Sequence, residues 1–105
     1  FENLMASHLL KFCHFLEDSQ GYKAELFYLR DVSKREVDFL VTVDQKPWFA
    51  VEAKYQETTP SPHLLYFGER LRIPQLYQVV YQPNREFSQD KVQVVSAARF
   101  LASLV

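Results

Sequence analysis

The sequence predicts a mixed α/β domain of the α+β kind, with one mixed sheet, from three observations. An amphipathic helical pattern opens the chain, two apolar strands joined by a short polar turn occupy its centre, and a proline-capped helix precedes a fourth strand. With 105 residues, of which 48% are apolar and 15% aromatic, the chain can bury one modest core. We therefore expect a single domain over residues 1–105.

The N-terminal elements are a helix and a strand. Apolar residues recur along one stripe from Phe1 to about Leu16, which predicts a helix, and Gly21 is placed to close it. Aromatic residues at 23–30 predict a strand, and the polar stretch 31–35 is expected to turn into the central pair of strands.

The two central strands carry charges that strands so apolar rarely hold. Asp38 is on the first strand, and Glu52 and Lys54 are on the second. A three-residue loop at 44–46 would place Asp38 opposite Glu52 and Glu36 opposite Lys54, all on one face. Opposed Cβ atoms lie about 4.5–5.5 Å apart, so two carboxylates there can share one divalent ion. Their repulsion favours cation binding or a raised pKa.

The next helix has a clear start and stop. Ser61 offers a capping hydroxyl, Pro62 follows it in the first turn, and the helix should run to about Leu71 before Pro74 stops it. A link from the third strand through this helix to a fourth strand should be a right-handed crossover.

The C-terminal part is predicted to contain the fourth strand, followed by one further strand and a final helix. The two strands are expected at 75–81 and 91–95, with a loop at 83–85 between them. Ser96 is expected to cap a final helix that runs through Leu104.

Composition limits the classes of function. The net charge of −1 gives no broad basic surface, so DNA would need a local patch or a neighbouring domain. The single Cys13 excludes an internal disulfide and suits a reducing, cytoplasmic location, and the three histidines do not favour a zinc site. No apolar run approaches the roughly 20 residues of a membrane span, and no Gly-rich loop of the ATP-binding type is present.

The central motif resembles a nuclease signature. Asp38, followed after a hairpin turn by Glu52-Ala53-Lys54, resembles the Asp…(Asp/Glu)-X-Lys motif of the PD-(D/E)XK nuclease superfamily. The order of elements is similar to its restriction-endonuclease-like αβββαβ core, although Val37 stands where that superfamily often has proline. The segments Phe1-Glu2-Asn3, Glu36-Val-Asp38 and Val51-Glu-Ala-Lys54 resemble one subgroup, the domain of unknown function found C-terminal to AAA+ ATPase modules in bacteria and archaea. The resemblance spans essentially all of the chain.

The resemblance implies a metal-dependent site. Asp38 and Glu52 would bind Mg²⁺, which Mn²⁺ can replace, and the Ala53 carbonyl is a candidate third ligand. Lys54 would position or activate the attacking water, and Glu2 matches the acid that many members supply from the first helix. DNA would be the substrate, and an N-terminal ATPase module of the same polypeptide would be a partner. Because the helical pattern starts at Phe1, we expect this chain to be a C-terminal fragment of a larger ATPase. The domain could form oligomers, and no contact with a membrane is expected.

Simpler interpretations of the same residues stay open. Glu36 with Lys54, and Asp38 with Arg30 or Arg35, could form ordinary cross-strand ion pairs that contribute a few tenths to about 1 kcal/mol each. The acid in the first helical turn could simply complement the helix dipole. The domain could also be a catalytically inactive module that binds nucleic acid or protein, or a purely structural one.

Several aromatic and polar residues are expected to be structural. Trp48 and Phe49 should pack in the core or against a helix rather than stack on bases. Four residues of the fourth strand are expected at a polar strand edge rather than on nucleic acid: Gln75, Tyr77, Gln78 and Tyr81.

Overall fold

The computed structural model describes residues 1–56, 59–81 and 86–104, and its elements confirm the predicted mixed α/β fold. The loop expected at 83–85 lies outside these residues. In chain order the elements are α1 (Glu2–Gln20), β1 (Ala24–Arg30), β2 (Glu36–Val43), β3 (Lys46–Lys54), α2 (Pro62–Arg70), β4 (Gln75–Val80), β5 (Phe87–Gln89), β6 (Val92–Ser96) and α3 (Ala97–Ser103).

The helices begin and end at the predicted caps. Ser61 and Ser96 each accept a backbone N–H from the first turn of α2 and α3. Gly21 closes α1 in the left-handed conformation, with φ of 75°. The expected end of α1 near Leu16 is wrong, because the helix continues to Gln20. The apolar stripe stops at Leu16 since the last turn lies in solvent, where polar residues sustain a helix equally well.

The described strands form one mixed sheet in the order β1-β2-β3-β4-β6-β5. Strand β2 pairs antiparallel with β1 and with β3, whereas β3, β4 and β6 run parallel to one another. Helix α2 joins β3 to β4, as a connection between adjacent parallel strands requires. Strand β5 was not predicted, because three residues are too few to show an alternating pattern; it pairs antiparallel with β6.

The turn between β2 and β3 corrects the predicted three-residue loop. The turn has two residues, Asp44 and Gln45, both with positive φ (51° and 68°), the backbone that tight hairpins favour. A β-bulge at Trp48 then shifts the pairing by one residue. The shorter turn and the bulge cancel, so the predicted register holds further along, where Phe39 lies opposite Val51. The two acids of the predicted site come next in this register.

A second irregularity in β2 lies at the predicted site itself. The pairing between β1 and β2 shifts at Asp38 and Phe39, so that two residues of β2 oppose one of β1. As a result Val37 and Leu40 both pack on the α2 side of the sheet, whereas Phe39 packs under α1. Bulges of this kind redirect side chains and are common beside active sites.

Both faces of the sheet are covered by apolar residues. Helices α1 and α3 cover one face, where Met5, Leu9, Phe49, Val51 and Phe100 are buried. Helix α2 covers the other face with Leu64 and Phe67, which pack on Leu40, Val80 and Val94. Phe49 is buried and Trp48 packs against Phe12, which confirms their structural role. Within the described residues, no helix combines the length and apolar character needed to cross a bilayer.

Candidate metal centre

The predicted site residues lie together at one end of the sheet. Asp38 is near the start of β2, Glu52 and Lys54 are at the end of β3, and Glu2 begins α1. Because β2 and β3 are antiparallel, the start of one strand lies beside the end of the other. The three acids and the lysine therefore come from three elements that meet at this end.

Asp38 is held by the backbone of the neighbouring strand. Its Oδ2 accepts a hydrogen bond of 2.8 Å from the backbone N–H of Ala53. The Lys54 carbonyl accepts a hydrogen bond from Tyr81 at the end of β4, so that carbonyl points toward β4. Polar groups alternate in direction along a strand, so those of Ala53 point the other way, toward β2. The Ala53 carbonyl is thus on the side of Asp38, as a third oxygen ligand would need to be.

Glu52 is a buried carboxyl beside a second acid. Only 8% of the residue is exposed, and its Oε2 accepts a 3.4 Å hydrogen bond from the Ser61 hydroxyl. Burial, and then the negative charge of Asp38, raise the pKa of Glu52 to about 8, while the Lys54 ammonium and the Ser61 hydroxyl oppose that rise. The raised pKa favours the protonated form of Glu52, in which the two neighbouring acids do not repel each other.

A buried glutamine, Gln78, binds the backbone of Ser61, the residue whose hydroxyl contacts Glu52. The Ser61 N–H donates to Gln78 Oε1 at 2.8 Å, and Gln78 Nε2 donates to the Thr59 carbonyl at 2.8 Å. Strand β4 is an interior strand, so the expected polar strand edge is wrong for Gln75, Tyr77 and Gln78, and Gln78 is fully buried. The sequence identified Ser61 as a helix cap but gave no sign that the same hydroxyl reaches Glu52.

Glu2 reaches Asp38 from the first turn of α1. The negative charge of Asp38, together with partial burial, raises the pKa of the Glu2 carboxyl, which in its protonated form donates a hydrogen bond to Asp38. Glu2 is also an acid in the first helical turn, where it complements the helix dipole. The side chain is therefore in the first helical turn, as the helix-dipole interpretation requires, and also interacts with Asp38 of the predicted site.

The ion pairs near this end of the sheet do not use the site carboxylates. Glu36 pairs with Arg30 at 2.9 Å, across β1 and β2, and Arg35 pairs within its own turn at 2.7 Å. The predicted alternative pairs, Glu36 with Lys54 and Asp38 with Arg30 or Arg35, are absent from the part of the chain that the structure describes. Neither Asp38 nor Lys54 therefore forms a salt bridge with another residue that the structure describes.

The donor set suits a hard divalent cation. Mg²⁺ takes oxygen ligands and keeps several waters, so two carboxylates and a backbone carbonyl are sufficient. Residues 1–56, 59–81 and 86–104 contain no group of three His, Cys, Asp or Glu side chains arranged to hold a metal. A cation here would accordingly be held by Asp38, Glu52, the Ala53 carbonyl and waters, with Glu2 in contact with Asp38 rather than with the metal.

A cavity of about 410 Å³ opens beside the carboxylates. It runs from Asp38 and Glu2 toward the edge strand β1 and is lined by Glu2, Tyr28, Leu29, Arg30, Glu36, Val37 and Asp38. Of the predicted site residues, the cavity therefore reaches Asp38 and Glu2, whereas Glu52 and Lys54 do not line it.

Comparison with known proteins gives one match. No curated protein and no solved structure matches the chain. A family model described as "Domain of unknown function (DUF4143)" matches residues 1–100. Because that match covers almost the whole chain, the protein belongs to this family of domains of unknown function.

Proposed function

We propose that this domain is a divalent-metal-dependent phosphodiesterase that hydrolyses the DNA backbone. The observation that carries the proposal is the meeting of Asp38 and Glu52 across two strands, with the pKa of Glu52 raised by burial and by the charge of Asp38. Two acids forced together in a buried position are stabilised by a cation that replaces the shared proton.

Each site residue has a distinct task in this proposal. Asp38 and Glu52 hold Mg²⁺ or Mn²⁺, and the Ala53 carbonyl completes the protein ligands. When bound, such an ion lowers the pKa of its water and stabilises charge that develops on a phosphodiester. Lys54, on the same strand two residues after Glu52, places its ammonium on the same face, orients the attacking water and stabilises negative charge on the phosphate. Glu2 holds Asp38 in place.

We further propose that the fold is of the PD-(D/E)XK type and that the domain is the C-terminal module of an AAA+ ATPase in the cytoplasm. The order of elements and the register of β2 and β3 support the first part. The second part rests on the resemblance of the sequence segments around Glu2, Asp38 and Glu52 to the domain that follows such ATPases.

A catalytically inactive binding module of the same fold is the second candidate. The pKa of Glu52, raised to about 8, favours the protonated form at neutral pH, and a proton between the two acids relieves their repulsion as a cation would. The net charge of −1 also gives the domain little general attraction to DNA. A domain that had lost catalysis could keep this arrangement as a structural hydrogen bond.

Cleavage of supercoiled plasmid DNA separates these candidates. We expect nicking that requires Mg²⁺ or Mn²⁺, stops with a chelator and is abolished in Asp38→Asn. The asparagine keeps an oxygen for the Ala53 N–H but removes the charge, so the variant should fold. Asp18→Asn, an exposed acid near the far end of α1, is the matched control and should cleave normally. Equal cleavage by wild type and Asp38→Asn would reject the proposed site.

A further inference from the structure

Three aromatic side chains form an exposed cluster at the same end of the sheet as the carboxylates. The rings of Tyr55 and Tyr81 are nearly parallel, with an interplanar angle of 13° and centroids 5.4 Å apart. Phe1 meets Tyr81 edge-on, also at 5.4 Å. Tyr55 is 59% exposed and Tyr81 is 50% exposed, so both offer ring surface to solvent. We call these three residues the aromatic platform.

The platform adjoins the residues of the candidate metal centre along the chain. Phe1 directly precedes Glu2, and Tyr55 directly follows Lys54. The backbone N–H of Tyr81 donates a 3.0 Å hydrogen bond to the carbonyl of Lys54, which fixes the ends of β3 and β4 to each other. The platform therefore lies at the end of the sheet that carries Lys54 and Glu2, and each of those two residues adjoins a platform residue along the chain.

Packing does not account for the exposure of these rings. Phe49 and Phe100, which belong to the core, are each less than 5% exposed, whereas the two tyrosines leave half or more of their surface in water. Contiguous exposed apolar surface is uncommon on soluble proteins and marks contact sites. Tyrosine suits such a site because its ring is rigid and its hydroxyl tolerates water.

Charge narrows the identity of the ligand. The chain has 12 basic and 13 acidic residues, so its net charge gives little general attraction to the phosphates of a duplex. Stacking of bases on aromatic rings supplies affinity without that charge, at about 1–3 kcal/mol per base. Bases within a duplex already stack on one another, so only an unpaired base is free to use the platform.

We propose that the aromatic platform binds an unpaired nucleobase next to the phosphate that the metal centre attacks, which makes single-stranded DNA or a frayed DNA end the preferred substrate. This proposal rests on the proposed function, because it assigns the form of substrate to that site. Since every base has a stacking face, the platform gives little sequence preference.

Fluorescence anisotropy of a short labelled oligonucleotide, single-stranded or as a blunt duplex, tests the platform. Ca²⁺ would replace Mg²⁺ so that binding is measured without cleavage. We expect the single strand to bind more tightly, and the double variant Tyr55→Ala, Tyr81→Ala to weaken that binding by about tenfold or more. The corresponding double Phe variant should bind normally, because stacking needs the ring and not the hydroxyl.

Tyr22→Ala is the matched control. Tyr22 is 46% exposed and lies at the opposite end of the sheet, where Asp44 N–H donates to the Lys23 carbonyl beside the β2–β3 turn. Its replacement should leave oligonucleotide binding unchanged. The platform is rejected if the double Ala variant binds the single strand as wild type does, if the duplex is preferred, or if neither form of DNA binds.

The same proteins also separate the platform from the metal centre. Metal-dependent cleavage that persists while the double Ala variant keeps full single-strand binding would reject the platform and leave the metal centre supported. Single-strand binding that depends on the two tyrosines, without any metal-dependent cleavage by wild type, would support the platform as a binding surface and reject the proposed phosphodiesterase.

Discussion

The carboxylate of Asp38 accepts a 2.8 Å hydrogen bond from the backbone N–H of Ala53, across the boundary between β2 and β3. This bond orients one acid toward a second, Glu52, which is buried and whose pKa rises in response. The backbone of β3 thus holds one of the two acids in place. Burial and the negative charge of Asp38 therefore disfavour the ionised form of Glu52, and a bound cation would stabilise that form.

The first prediction concerns pH. The pKa of Glu52 is about 8 in the folded protein, against an ordinary value of 4.5, so the folded state binds a proton more tightly than the unfolded chain. The free energy of unfolding should consequently fall as the pH rises through that interval, with the loss complete above about pH 8. Each unit of difference corresponds to about 1.4 kcal/mol, so the total is on the order of a few kcal/mol.

Thermal unfolding without divalent ions, at about pH 6 and about pH 9, measures this effect. Glu52→Gln cannot ionise and should show a much smaller drop in melting temperature than wild type. Parallel pH profiles for the two proteins would show that Glu52 is not protonated in the folded state.

The second prediction compares two helix caps. Ser61→Ala and Ser96→Ala each remove a side-chain acceptor for a first-turn N–H, which should cost about 1 kcal/mol of stability. Only Ser61 also donates a hydrogen bond to Glu52, and that bond lowers the pKa of the carboxyl. Titration of the Glu52 carboxyl by NMR should therefore show a higher pKa in Ser61→Ala and no change in Ser96→Ala. An unchanged titration in both variants would refute the contact.

The third prediction concerns the lysine. Lys54→Met removes the ammonium that lowers the pKa of Glu52, so that pKa should rise further. Metal binding should persist, whereas cleavage at saturating Mg²⁺ should fall by about 10²–10³-fold, as when one stabilising donor is removed from an active site. Lys46→Met, an exposed lysine at the other end of β3, is the control. Cleavage at the wild-type rate in Lys54→Met would exclude Lys54 from the reaction.

The sequence predicted the pairing of Asp38 with Glu52 through a turn that does not exist. Apolar alternation made the two strands recognisable, and the faces of a sheet constrain register strongly. Asp44 and Gln45 form a shorter turn than expected, and the bulge at Trp48 compensates for the missing residue. The predicted register is confirmed as far as Phe39 opposite Val51, because the buried pattern of the strands, not the length of the turn, determines which residues face each other.

Contacts between elements that are distant along the chain could not be predicted from the sequence. Ser61 and Gln78 are 17 residues apart and meet because α2 returns the chain so that β4 lies against β3. The aromatic platform likewise requires Tyr55 and Tyr81, at the ends of two parallel strands, to lie side by side. Local periodicity indicates which face of an element is buried, but it does not indicate which neighbour lies against it.

Calorimetric titration of the metal-free protein with Mn²⁺ tests the meeting of Asp38 and Glu52 as a metal centre most directly. We expect wild type to bind Mn²⁺ more tightly as the pH rises, because Glu52 must release its proton to become a ligand, and we expect Asp38→Asn to show no binding. The absence of binding by wild type at millimolar Mn²⁺, or equal binding by Asp38→Asn, would contradict this assignment.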